Sequence, residues 1–144
     1  MKPLHRVILA FAALMSLVSG PAAAQAGTAP GAVANRIVFQ VNEDDSRKWN
    51  TVLANINNVQ EELGKVEVAV VVIGPALGML KADALTANKV QDAMAAGVRF
   101  VACGNSMKAQ GLTKDDMIDH IGYARAGYVE LMHLQQQGWT YLRP

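Results

Sequence analysis

The stretch Cys103-Gly104-Asn105-Ser106 has the strongest chemical potential in this chain. Cys103 is the only cysteine. It closes the mostly apolar run Arg99-Phe-Val-Ala-Cys103, and a short helix is predicted over residues 105–110, stopped by Gly111. A thiol just ahead of a helix start meets free backbone N–H groups and the positive end of the helix dipole, and both favour the thiolate. A free cysteine titrates near about 8.5, and such placement commonly lowers that value. Gly104 lets another backbone or a ligand approach closely. The competing reading is equally physical, because free cysteines are among the most buried residues and often serve as small hydrophobes.

The remaining reactive side chains form no comparable group. Gly74-Pro75-Ala-Leu-Gly78 lacks the Gly-Lys-Ser/Thr ending of a phosphate-binding loop, so its glycines read as a turn. Lys81 would lend positive charge to a thiolate if the loops converge, and otherwise reads as a solvated lysine. His120 and His133 are isolated, and with Met117 and Met132 they show no metal-ligand spacing, so no metal or other cofactor is expected. Asp115, Asp116 and Asp119 read as a capped helix start. No Ser-His-Asp order and no acid–base carboxylate pair stands out.

The elements that must position these residues alternate along the chain. Arg36–Val41 reads as a first strand, rich in β-branched and aromatic residues. Trp49, Val52, Leu53, Ile56, Val59 and Leu63 recur at helical spacing, and Gly64 ends that helix. Residues 66–73 (VEVAVVVI) form a strand apolar enough to be covered on both faces. Residues 76–83 are a loop or short helix, and Thr86 caps a second helix using Val90 and Met94 inward, closed by Gly97. Arg99–Cys103 is a third strand, and Thr113 caps a further turn. Tyr128, Leu131, Met132 and Gln135 mark one face of a last helix, and residues 139–142 a last strand. This order predicts a three-layer α/β/α sandwich with a mainly parallel sheet. Ligands of such sheets bind beyond the carboxyl ends of the strands. That edge holds Asn42, the Gly74 to Lys81 loop with Pro75 and Gly78, and Cys103 to Ser106.

The amino terminus reads as a secretory signal. Lys2, His5 and Arg6 precede the apolar run Val7–Val18, whose 12 residues are too few to span a bilayer as a helix. Ala22-Ala23-Ala24 and Ala24-Gln25-Ala26 offer small-x-small cleavage sites. A signal peptide with its cleavage region is expected over 1–26, a flexible leader over 27–34, and the folded domain over 35–144, exported to the periplasm. Without Lys2 and Arg6, the 13 basic residues fall to 11 against 12 acidic ones, a near-neutral balance that gives no footprint for nucleic acid. After cleavage no membrane association is expected. Export sharpens the cysteine question, since oxidising compartments favour paired cysteines. A lone thiol there is buried and inert, paired with another molecule, or kept free to react.

Several stretches resemble the DsrE/DsrF-like family: Ile37-Val-Phe-Gln-Val-Asn42 with Trp49-Asn50, Gly74-Pro-Ala-Leu-Gly-Met-Leu80, Gly97-Val-Arg-Phe-Val-Ala-Cys-Gly-Asn105 with Met107, Thr113-Lys-Asp-Asp116, and Gly138-Trp-Thr-Tyr-Leu-Arg-Pro144. The resemblance covers about residues 35–144. It implies a three-layer α/β sandwich, assembly into homo-oligomers, and sulfur carried as a persulfide, with Cys103 as acceptor. Its partners would then be a sulfur donor or acceptor protein or a small sulfur compound. The alternative is a non-catalytic binding or assembly module in which Cys103 only lines a pocket or the core. A stand-alone thiol redox enzyme is disfavoured by the absence of a second cysteine. Trp139 and Tyr141 fit either a subunit contact or ordinary core packing.

Overall fold

The structure is a computed structural model that describes residues 35–144; the expected signal peptide and leader lie outside the described residues. Five strands form one wholly parallel sheet: β1 (Asn35–Val41), β2 (Val66–Val72), β3 (Arg99–Cys103), β4 (Gly122–Ala124) and β5 (Thr140–Leu142). Their spatial order is β4-β3-β2-β1-β5. The helices are α1 (Ser46–Leu63), α2 (Ala87–Ala95), α3 (Gly104–Ala109) and α4 (Gly127–Gln136), with 3₁₀ turns at Gly74–Leu80 and Lys114–Asp116. No helix among the described residues is long and apolar enough to cross a membrane.

The strand order explains an uneven sandwich. The chain moves one way across the sheet from β1 to β4, so right-handed crossovers put α1, α2 and α3 on one face. It then returns past β1 to β5, which puts α4 on the other. The core divides accordingly. Phe39, Val70, Val72, Phe100 and Ala102 pack with Trp49, Ile56, Val90 and Met107. Val38, Val71, Ile73, Val101 and Cys103 face Leu131 and Leu134 of α4. Strand alternation therefore sends the Cys103 side chain toward the face that α4 covers.

Local chemistry sets most element ends. Asp45 caps α1 by accepting the Arg47 N–H at 2.9 Å. Thr113 and Asp116 form a reciprocal capping box, with the Thr113 N–H and hydroxyl both donating to Asp116 Oδ2. Thr86 stands before α2, but its hydroxyl donates to the Met79 carbonyl instead of capping the helix. The inward face of α2 uses Ala87, Val90 and Ala93, while Met94 is only half-buried.

Two expectations are corrected. The buried face of α4 is Gly127, Leu131 and Leu134, and Tyr128 and Met132 are exposed. Reading apolar side chains as inward misplaced this face, because its first inward residue is a glycine with no side chain to count. Strand β4 was also missed, since Gly122-Tyr-Ala124 has no β-branched residue and places Gly and Ala, both depleted in strands, on either side of its one aromatic. Trp139 is half-buried beside the α4 face and lies under the Arg99 guanidinium, 5.7 Å from the ring centroid. Tyr141 donates its hydroxyl to the buried Gln40 side chain at 2.6 Å, so that core amide is partnered.

Candidate functional site

Cys103 ends β3 at the carboxyl edge of the sheet and is 4% exposed. Two helix starts meet at its sulfur. The N–H of Gly127, first residue of α4, donates to Sγ at 3.3 Å. From the other side comes α3, which begins at Gly104. Ser106 Oγ, in the first turn of α3, accepts the Gly74 N–H at 2.9 Å. Burial is the largest single influence on Cys103 and pushes its pKa up. The Ser106 hydroxyl, the Gly127 N–H and the start of α3 act together against it, and of these the Gly127 N–H makes the one hydrogen bond directly to Sγ among the described residues. They outweigh the burial, and the thiol is held below its ordinary value.

The surrounding backbone is fitted tightly to this arrangement. A Cβ on Gly104 would stand 3.3 Å from the Ala124 carbonyl oxygen. Beside it, the Asn105 N–H donates to the Arg125 carbonyl at 3.0 Å, which ties α3 to the segment between β4 and α4. Gly74 takes φ +62, a left-handed conformation that favours glycine, and Gln110 Nε2 holds its carbonyl at 2.7 Å. Gly104, Asn105 and Ser106 thus follow Cys103 as the first turn of α3, and Gly74 is tied to that turn through Ser106.

The other residues singled out in the sequence take separate places. Pro75 is exposed in the first turn of the 3₁₀ segment, where its missing N–H is not needed. Gly78 lies under the Trp49 indole, and a Cβ there would meet Trp49 Cη2 at 2.9 Å, which gives this glycine a packing role. Lys81 directs its ammonium to Asp83 at 3.2 Å and is bridged by backbone to Met117, so it supplies its charge away from the thiol. Asn42 follows the end of β1 and is half-buried, and its Oδ1 is buried with no hydrogen-bond partner among the described residues. Next to it, Glu43 joins Arg143 at 3.0 Å and Lys48 at 3.6 Å. The hydrogen bond from Arg143 is the main reason the Glu43 carboxyl sits below its usual range. Among the described residues no three His, Cys, Asp or Glu side chains converge as a metal-binding set.

Sequence reasoning missed Gly127 as a site residue, along with the Ala124–Ala126 backbone around it. The glycines in Gly122-Tyr-Ala-Arg-Ala-Gly127 were the available signal, because a glycine at a helix start where no turn is required points to a close neighbour.

The architecture defines a class: parallel α/β domains that present a single thiol at the carboxyl edge of the sheet. The sequence profile of the DsrE/DsrF-like family matches residues 35–144, and the chain belongs to that family. The fold is similar to that of MTH1491 from Methanobacterium thermoautotrophicum, with 30% identity, a TM-score of 0.75, and coverage of 76% of this chain and 99% of that one. It is also similar to the ychN protein of E. coli, at 15% identity and a TM-score of 0.66, covering 76% and 99%. A third similar structure is BT1422 from Bacteroides thetaiotaomicron, at 13% identity and a TM-score of 0.65, covering 76% and 95%. The last two likenesses concern the fold alone. No curated protein matches the chain.

Proposed function

We propose that this protein is an exported carrier of sulfane sulfur that holds it as a persulfide on Cys103. The observation that carries the reading is the sulfur itself, a buried thiol at the carboxyl edge of the sheet that accepts the Gly127 N–H at 3.3 Å and is held below its ordinary pKa. A buried cysteine with a purely packing role needs no such donor. In the transfer step the Cys103 thiolate attacks the terminal sulfur of a persulfide or polysulfide. The donor S–S bond breaks as the Cys103 S–S bond forms, and the departing thiolate takes up a proton. Sulfur moves with no external oxidant or reductant, and the reverse exchange with an acceptor thiolate discharges it. Persulfidation is a reversible cap, as a carrier requires. At 4% exposure the sulfur admits small linear sulfur anions more readily than bulky reagents.

Intact mass spectrometry of the exported protein after exposure to polysulfide tests the reading. A single added sulfur that dithiothreitol removes is expected, and Cys103→Ser should gain none. A wild-type protein that stays at its starting mass would favour the alternative of a binding module with Cys103 as a core residue. The same spectrum checks cleavage after Ala24 or Ala26, since an intact Met1 would refute export by this route.

We also propose that the chain self-associates through the outer face of α4, where Tyr128, Val129 and Met132 are all exposed on the one helix that covers that side among the described residues. Light scattering should show an oligomer that Met132→Lys shifts toward the monomer. A wild type that is monomeric at micromolar concentration would remove this claim.

A further inference from the structure

A groove of about 420 Å³ lies along the β4 edge of the sheet, on the face opposite α4. Its floor is Met107, Leu112 and the ring of Tyr123, and its rim carries Lys108, Lys114 and Arg125. The volume falls within the range of ordinary ligand sites. The charge on its rim is unusual for this chain. Residues 35–144 contain 11 lysines and arginines, and six of them pair with carboxylates (Arg36, Arg47, Lys48, Lys81, Arg99 and Arg143). Of the five left without a carboxylate within 4.0 Å among the described residues, three rim this one groove. Lys114 extends over the Tyr123 ring, 4.8 Å from its centroid. Asp115 and Asp119 act on the Tyr123 hydroxyl and help to raise its pKa, after the larger effect of burial, but neither lines the groove.

One wall of the groove is strand β4, which pairs with β3 on one side and, among the described residues, bonds no strand on the other. An open edge of this kind accepts an extended peptide by strand addition, and alternate side chains then enter neighbouring pockets. The pairing of Cys103 with Ala124 brings that edge to the level of the thiol. The Cys103 side chain points to the other face, so a small anion in the groove would not touch Sγ.

We propose that this groove docks an extended acidic segment of a partner protein, with carboxylates on the lysine and arginine rim and an apolar side chain over Met107 and Tyr123. The inference deepens the carrier reading, and rests on it, by giving the chemistry of the protein that exchanges sulfur with Cys103. Charge complementarity would chiefly set the rate and orientation of encounter at the sheet edge.

The test uses the mature chain and a fluorescein-labelled decapeptide that alternates glutamate with valine and serine, and a lysine-for-glutamate peptide as control. Anisotropy should show salt-sensitive binding of the acidic peptide alone. The variant Lys108→Glu/Lys114→Glu, checked for folding by circular dichroism, should bind roughly tenfold or more weakly, and Cys103→Ser should bind like wild type. Amides of residues 122–125 should gain protection from hydrogen exchange. Equal binding by the double variant overturns the proposal. So does displacement of the peptide by thiosulfate at constant ionic strength, which would mark a small-anion site. Persulfide formation reads out separately: peptide docking without a sulfur adduct overturns the carrier reading alone, and a sulfur adduct without docking overturns this one alone.

Discussion

Gly127→Ala is expected to cost about 1–3 kcal/mol of folding stability and to raise the Cys103 pKa, two effects with one cause. A Cβ at position 127 would fall 2.6 Å from Ile73 Cγ1, 2.9 Å from Ile73 Cδ1 and 3.2 Å from Cys103 Cβ. The backbone of Gly127 is not in the left-handed region, so no conformational strain enters. Helix propensity alone favours alanine by at most about 1 kcal/mol. Overpacking outweighs it here because the nearest atom belongs to a β-branched side chain that is stiff at χ1 and buried. Ile73 cannot swing clear, and Cys103 blocks the other direction. The start of α4 must therefore back away, and the 3.3 Å hydrogen bond to Sγ lengthens with it. Urea denaturation and thiolate absorbance against pH measure the two effects. In a double-mutant cycle with Ile73→Ala, the pair should be less destabilising than the sum of the single changes. A Gly127→Ala protein as stable as wild type, with its thiol midpoint unmoved, would show that this contact is not tight in solution.

That contact also marks where the sequence stopped being informative. The interior strands were legible because β2 is buried on both faces, so Val68 to Ile73 appears as an unbroken apolar run. Helix α1 was legible because its buried residues, Trp49, Val52, Leu53 and Ile56, repeat with the helical period. Both signals come from large side chains. The α4 face depends on the absence of one, at Gly127, and on the exposure of Tyr128 and Met132, which a count of apolar residues assigns to the interior. The same limit applies to the site. The strand-end rule placed Cys103, Gly104, Asn105, Ser106 and Gly74 at one edge. It also placed Lys81 there, whose ammonium is taken by Asp83, and Gly78, which lies beneath Trp49. Topology names the edge that each loop reaches, whereas side-chain direction is settled by neighbours that are distant in sequence. The donor from Gly127 lies 24 residues from the sulfur it serves, and no local pattern around Cys103 encodes it.

Ser106→Ala is expected to raise the pKa of Cys103. The Ser106 hydroxyl is the strongest of the influences that lower this thiol, and burial is the strongest that raises it. Without the hydroxyl, the Gly127 N–H and the start of α3 are left to oppose the whole of the burial, and the pKa rises. Stability follows with a definite sign. In the wild type the folded pKa lies below the unfolded one, so the thiolate stabilises the fold above the unfolded value, and that contribution is lost as pH falls through the folded value. In Ser106→Ala the contribution shrinks over the same window. A second loss is independent of pH. The Gly74 N–H, now bonded to Ser106 Oγ at 2.9 Å, is left without an acceptor in a half-buried turn, at a cost of about 1–3 kcal/mol at most. The two losses separate in a pH series of urea denaturations run beside Cys103→Ala, which removes the titration and keeps the Gly74 bond. Iodoacetamide rates should place the wild-type midpoint below that of a free thiol, and the Ser106→Ala midpoint above the wild type's. If both proteins alkylate with the same midpoint, the serine does not act on the sulfur, and the case for an activated Cys103 falls back on Gly127 and the start of α3.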